Sequence, residues 1–422
     1  MHLDALLKEF NFPLKLELTY HFPRSTRQAE LVPDSVIGDL FRVVMALHLL
    51  ERSGKDVEEL SCQTPHVEEL SAVAGRLERL YTYLTDAYVS LRFKSKAITE
   101  QSQLSIPKSD AEVILFSGGL DSFCGSVRNS SQKILAHGIL NEIVYGRSMK
   151  LREDCQMLRE MPAVTCQCLY ERLSGGISQT RGLLFLTLAG LVAATLGSER
   201  ITFAENGPLM LNPETSPIFP PTKNSDPNLV LEIGSILSDL TEPSTTITCP
   251  FKDSTKAEAI AHTPTGFQSM FGRTNSCHST RSRGMCGVCF GCFVRRVALG
   301  ALGLDEADRY SCDVFSYDLN GFGETRRSRI LDIRQSLRFF SKFLTDNPPD
   351  YFRGPPGFFC DSQDMLRRFA SDLLLGMDNL FAMHPSYRTQ NAFGKYCNIL
   401  LSNTSRELLV SRSLELKQIR RA

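Results

Sequence analysis

The hexapeptide Ser117-Gly118-Gly119-Leu120-Asp121-Ser122 follows directly on the apolar run Val113-Ile114-Leu115-Phe116. A buried strand therefore runs into a glycine-rich turn and then a helix, and that order restricts what the rest of the chain can be. Adjacent glycines let backbone N–H groups approach a ligand with no Cβ in the way, and the positive end of the following helix favours an anion. Ser117, Gly118, Gly119, Leu120, Asp121 and Ser122 are thus candidates to hold phosphate. The pattern is not a Walker loop, which has a four-residue spacer and ends in Gly-Lys-Ser/Thr. An ordinary Gly-Gly turn between strand and helix is the alternative reading.

From Ala111 onward the pattern alternates strand and helix, which predicts an α/β fold with a doubly wound parallel sheet. Candidate strands are Val113 to Phe116, Lys133 to Leu140, Ala163 to Cys168 and Ile201 to Ala204. In such sheets ligands bind beyond the carboxyl ends of the strands, where the Ser117 loop and Glu205-Asn206-Gly207 are expected to face one cleft. Arg181 is a third expected contributor. It opens a long apolar helix after Ser174-Gly175-Gly176-Ile177-Ser178-Gln179-Thr180.

Downstream, Cys277, Cys286, Cys289 and Cys292 are spaced C-x8-C-x2-C-x2-C. Each x2 interval folds into a knuckle that aims two sulfurs at one point, which suits tetrahedral Zn²⁺ in a closed, structural site. Reduced unliganded cysteines, an iron–sulfur cluster, or His278 in place of one thiolate remain open.

Taken in order, these signals resemble a known family. The Ser-Gly-Gly-x-Asp-Ser loop is similar to the pyrophosphate loop (PP-loop) of ATP pyrophosphatases, whose fold is of the adenine nucleotide alpha hydrolase type. The loop, then Pro250 with Lys256-Ala257-Glu258, then the cysteine knot ending in Cys292-Phe293-Val294-Arg295, resembles 7-cyano-7-deazaguanine synthase, the QueC family, over roughly residues 109 to 302. The chain looks most like the longer QueC-like proteins of anti-phage operons, including the QatC-like type, because both outer thirds exceed the compact synthase. The resemblance implies ATP, Zn²⁺ and Mg²⁺ as cofactors and a deazaguanine-type acid as substrate. It also implies protein partners from the same operon.

The chain has 422 residues, enough for two or three domains, and 42% hydrophobic content, enough for sizeable cores. The division expected is 1–108 as an N-terminal α+β accessory domain, 109–302 as the core with its zinc knot, and 303–422 as a mostly helical extension. Its 47 basic and 47 acidic side chains cancel. There is no global attraction to nucleic acid, and a local basic patch, such as Arg326, Arg327, Arg329, Arg334 and Arg338, stays open. Thirteen cysteines, an odd number, and no signal peptide at Met1-His2-Leu3-Asp4 point to a reducing cytoplasm. Leu183 to Leu196, the most apolar stretch, is too short to span a bilayer. In the first third, Leu14 to His21 and Ala87 to Phe93 alternate like strands, while Val36 to Leu50 and Val67 to Leu84 carry helical stripes. Leu366, Phe369, Leu373, Met377 and Phe381 mark a late amphipathic helix whose stripe is core or a partner-docking face.

Adenylation converts an unreactive carboxylate into an acyl-adenylate with AMP as leaving group. Backbone and hydroxyl donors from Ser117, Gly118, Gly119 and Ser122 are expected to stabilise the departing pyrophosphate. Asp121 repels phosphate unless a cation intervenes, so it binds Mg²⁺, pins the loop, or caps the helix. Lys256 matches the family's lysine position, its alternative being a surface ion pair with Glu258. Arg181 could neutralise a substrate carboxylate or the α-phosphate, or pair with a nearby acid. Glu205 could accept from the paired donors of a guanine-like edge beside Asn206, or sit in a surface turn. Cys124, in the first turn of the helix after the loop, raises the rival of tRNA thiolation, with buried structural cysteine as its alternative. A catalytically inert nucleotide-binding scaffold and a free-standing 7-cyano-7-deazaguanine synthase complete the alternatives. The final acceptor, whether ammonia, protein or nucleic acid, is left open.

Overall fold

In the computed structural model the described residues are 1–10, 17–22, 25–30, 35–97, 110–128, 132–140, 142–167, 178–216, 221–277, 284–316, 323–349 and 354–421. They form two compact units that interleave along the chain. One comprises Met1–Ser117, Asn129–Ala204 and Thr222–Pro250, and the other Gly118–Arg128, Glu205–Pro221 and Phe251–Ala422. The three consecutive segments expected from the sequence, 1–108, 109–302 and 303–422, therefore differ from how the chain groups. The physical reason is pairing and packing across both expected boundaries.

Among its described residues the first unit is an α/β layer built on nine strands: β1 (Glu17–Phe22), β2 (Ser25–Glu30), β3 (Glu59–Thr64), β4 (Ser90–Ser95), β5 (Glu112–Leu115), β6 (Lys133–Ile139), β7 (Ala163–Gln167), β8 (Arg200–Thr202) and β9 (Thr246–Thr248). Seven make one sheet in the order β2-β1-β7-β6-β5-β8-β9. Five of these, β7-β6-β5-β8-β9, are parallel, with Val113 opposite Ile134 on one side and Ile201 on the other. The chain thus winds outward from β5 first through β6 and β7, then returns to place β8 and β9 on the other flank. The sheet is mostly parallel rather than wholly so, because the N-terminal hairpin β1–β2 adds antiparallel through Leu18 opposite Cys166. That pairing binds the expected accessory segment into the central sheet. Strands β3 and β4 form a separate parallel pair bridged by the helix Val67–Thr85.

The apolar stretch read from the sequence is the helix Arg181–Leu196, buried along nearly its whole circumference against β5, β6 and β8 and against the helix Val36–Ser53. Its free N-terminal N–H groups are taken by neighbours. The Glu51 carboxylate accepts from Thr180 N at 3.2 Å and from Ser178 Oγ at 2.9 Å, and Asn224 Oδ1 accepts from Gly182 N at 3.0 Å. A carboxylate at a helix start satisfies both the orphan donors and the dipole.

The second unit is helical, and its centre is the helix Ser362–Met383. Leu366, Phe369, Leu373, Met377 and Phe381 are all buried, so the stripe foreseen from the sequence is core. The helix packs on Phe290–Ala301, where Asn379 Nδ2 donates to Gly300 O at 3.0 Å. Phe315 joins the two with an edge contact to Phe381 at 5.4 Å. Residues on both sides of position 302 thus share one core, which explains why no unit boundary falls there. Among the described residues no helix is long and apolar enough to cross a membrane.

Candidate functional site

After β5 the chain turns at Gly118, whose φ of 72° lies in the left-handed region that glycine enters without a Cβ clash. Gly119 caps the helix Leu120–Val127, so Asp121 stands in its first turn, where a negative charge meets the positive helix end. Ser122 is buried, and its Oγ donates to Gly119 O at 3.1 Å. The first turn of that helix packs against the short helix Lys256–Ala261.

Lys256 is only 2% exposed, and its ammonium forms an ion pair with the Asp121 carboxylate. The surface-pair alternative for Lys256 is therefore replaced by a buried pair with a residue 135 positions away. Asn206, fully buried, donates from Nδ2 to Asp121 Oδ1 at 3.2 Å and to Glu205 Oε1 at 3.5 Å. Asn206 is also the N-cap of the helix Gly207–Leu211. Asp121, Glu205, Asn206 and Lys256 thus make one polar cluster from three segments of the same unit. Burial and then the Asp121 charge push the Glu205 carboxyl up to about 8, against the opposing pull of Lys256 and the Asn206 N–H. Two carboxylates this close cannot both stay ionised unless more positive charge arrives. Asp121 is pinned by Lys256 and Asn206 in the form described here.

Arg181 and Ser117 belong to the sheet unit. Arg181 is exposed at the first position of its helix, whose N-terminus Glu51 fills. Cys124 is buried, and burial pushes its thiol up to about 12, so it stays a neutral thiol at physiological pH. That is the structural-cysteine alternative. Cys166 is buried in β7, while Cys168, His278 and Ser174 to Ile177 lie outside the described residues.

The sulfur atoms of Cys277, Cys286, Cys289 and Cys292 all lie within 4.8 Å of one another. Cys286 and Cys292 are 3.9 Å apart, close to the about 3.8 Å that tetrahedral zinc thiolates require at their usual bond length. The donor set fits a single ion. A four-iron cluster would place one thiolate on each iron and so hold the sulfurs farther apart. Hydrogen bonds from the other three cysteines and a backbone N–H hold the Cys286 thiol well below the usual thiol range, which readies it as a ligand. The knuckle turns at Gly287, φ 77°, where a Cβ would come within 1.7 Å of Cys312 O. Cys289 caps the helix Phe290–Ala301, and Arg295 on that helix is wholly buried, donating to Glu306 at 2.9 Å and to Phe271 O at 2.6 Å.

The two motifs are joined by Asn275. Its backbone N–H donates to Gly118 O at 2.9 Å, and its Oδ1 accepts from Cys277 N at 3.2 Å. The cysteine knot therefore braces the glycine turn. The sequence reading did not single out Asn275, Asp372 or Arg412, and it named Glu258 only as a surface partner for Lys256, whereas Glu258 pairs with Arg412 and Arg368. Only the Thr255-x-x-Glu258 spacing, a capping-box signature, could have flagged more for Glu258.

Compared with family models, curated proteins and solved structures, the chain matches none.

Proposed function

We propose that the chain is an AMP-forming ATP pyrophosphatase of the QueC-like type, with a PP-loop fold, acting on a 7-carboxy-7-deazaguanine-like acid. What supports this reading is the convergence of Asp121, Asn206 and Lys256, far apart in sequence, on the first turn after the Gly118–Gly119 turn. An idle Gly-Gly turn needs no buried lysine beside it. In the reaction a substrate carboxylate oxygen bonds to the α-phosphorus of ATP while the bond to the bridging oxygen breaks, and pyrophosphate leaves. Ser117, the N–H groups of Gly118 and Gly119, and the Ser122 hydroxyl receive the charge on pyrophosphate. Lys256 exchanges its Asp121 partner for a phosphate oxygen. Asp121 is the carboxylate that would hold Mg²⁺, which would supply charge neutralisation between it and the phosphates. Arg181 is assigned to the substrate carboxylate or the α-phosphate.

Glu205 beside Asn206 is assigned to the guanine-like edge. Accepting two N–H donors favours the ionised carboxylate, so substrate binding releases the proton that burial keeps on Glu205. The ion at the four cysteines is read as structural zinc. The acyl-adenylate then passes to ammonia or to a macromolecular acceptor, in a cytoplasmic anti-phage setting with a co-encoded protein as partner.

The test is product analysis. The purified chain, given ATP, 7-carboxy-7-deazaguanine and ammonium, with and without co-encoded proteins, is expected to yield AMP and pyrophosphate. ADP and orthophosphate as the only nucleotide products would overturn the assignment. Mass spectrometry of the acid-derived product separates a free nitrile from a modified polypeptide.

A further inference from the structure

The helix that carries Lys256 has six residues, Lys256–Ala261, too few to hold an orientation on its own. Its position is set by a buried ionic network on the side away from Asp121. Thr255 and Glu258 form a reciprocal capping box, with Thr255 N donating to Glu258 Oε2 at 2.9 Å. The other oxygen, Glu258 Oε1, accepts from Arg412 Nη2 at 2.6 Å and from Arg368. Arg412 Nε donates to Asp372 Oδ1 at 2.7 Å, and Asp372 in turn accepts from Thr255 Oγ1 at 2.5 Å. Arg412 and Asp372 are each 3% exposed, and the two carboxylates are balanced by two guanidiniums. One guanidinium thus spans both acids that grip the start of the Lys256 helix, a geometry that a lysine cannot reproduce.

We propose that Arg412, in the last helix of the chain, Arg406–Arg421, is a positioning residue that fixes Lys256 against Asp121 through Glu258, Asp372 and Thr255. The C-terminal helix is then part of the reaction unit and not an appendage to it. The turnover arm of the test rests on the adenylation reading, while the labelling arm does not.

The experiment measures the reactivity of the Lys256 amine by pulse acetylation of the full chain, well below each variant's melting point. Exposed Lys417 and buried Lys133 serve as references. In Arg412→Met, Lys256 is expected to acetylate about tenfold faster while Lys133 is unchanged, because opening is local. Turnover is expected to fall about a hundredfold, chiefly in kcat, as for a misplaced catalytic group. Arg412→Lys restores part of both. Glu415→Gln, which removes only the more exposed partner of the same guanidinium, changes neither. A folded Arg412→Met protein with native Lys256 reactivity overturns the proposal. If that variant does not fold, Arg368→Gln, on the same Glu258 oxygen but half-buried, carries the test, and unchanged Lys256 labelling there overturns it equally. Faster labelling with unaltered turnover upholds the positioning and removes Lys256 from the chemistry. Should the intact chain turn over no acid at all, the adenylation reading fails and the labelling alone decides.

Discussion

The four-cysteine cluster and the Asp121 cluster lie in one unit and are built on opposite plans. The cysteines come from a single stretch, Cys277 to Cys292, and a metal ion would supply the free energy that holds them. Asp121, Asn206 and Lys256 are brought together across 85 and 135 residues and are held by hydrogen bonds and buried ion pairs of the protein alone. A local site concentrates its stability in one ligand. A dispersed site borrows it from the whole core, and its members respond to changes far away in sequence.

The largest expected effect tests the local half of this contrast. Cys289→Ser should cost several kcal/mol of stability and abolish tight binding of about one zinc per chain, because metal binding contributes directly to folding. Since Asn275 links Cys277 to Gly118, turnover should be lost with the metal. Elemental analysis, thermal unfolding and product formation read the three consequences. A metal-free variant of native stability and activity would break the claim that the knot braces the turn. A brown protein with iron and acid-labile sulfide would replace zinc altogether.

Lys256→Met should act differently. It keeps the apolar length of the side chain and leaves the capping box and Arg412 network in place, so zinc content and secondary structure are expected to be unchanged. Turnover should fall by roughly 10²–10³, about 2.7–4 kcal/mol, the usual loss for one electrostatic contact in the transition state. Turnover within a few-fold of the parent would remove the lysine from the mechanism, whatever the fold of the site.

The difference in plan also explains what could be read from residues alone. The cysteine spacing, the strand–glycine–helix order and the core strands β5 to β8 are local patterns, and each lies within one or two residues of its expected place. The Leu14 to His21 alternation predicted β1, but nothing in it announced pairing with β7. Three-residue β9 carries too little periodicity to register. Arg412 could not be connected with Glu258, 154 positions earlier, because a buried guanidinium and a solvated one look alike in sequence. The candidate site was legible as a list of residues, and its supporting network was not.

The smallest effect sharpens the comparison by asking whether the dispersed site stores a proton. Glu205 sits at about 8 in the folded protein against 4.5 for an unperturbed glutamate, with burial as the main cause and Asp121 the next. Between those values the folded chain holds a proton that the unfolded chain has released. Stability must therefore fall as pH rises through that window, and Glu205 makes no such contribution below it. The slope cannot exceed about 1.4 kcal/mol per pH unit for one group. Glu205→Gln cannot titrate, so its stability relative to the parent should improve steadily from pH 5 to pH 8, read as a diverging pair of melting curves. Parallel curves would mean that Glu205 is ionised beside Asp121 without substrate, and the proton release assigned to substrate binding would have no source.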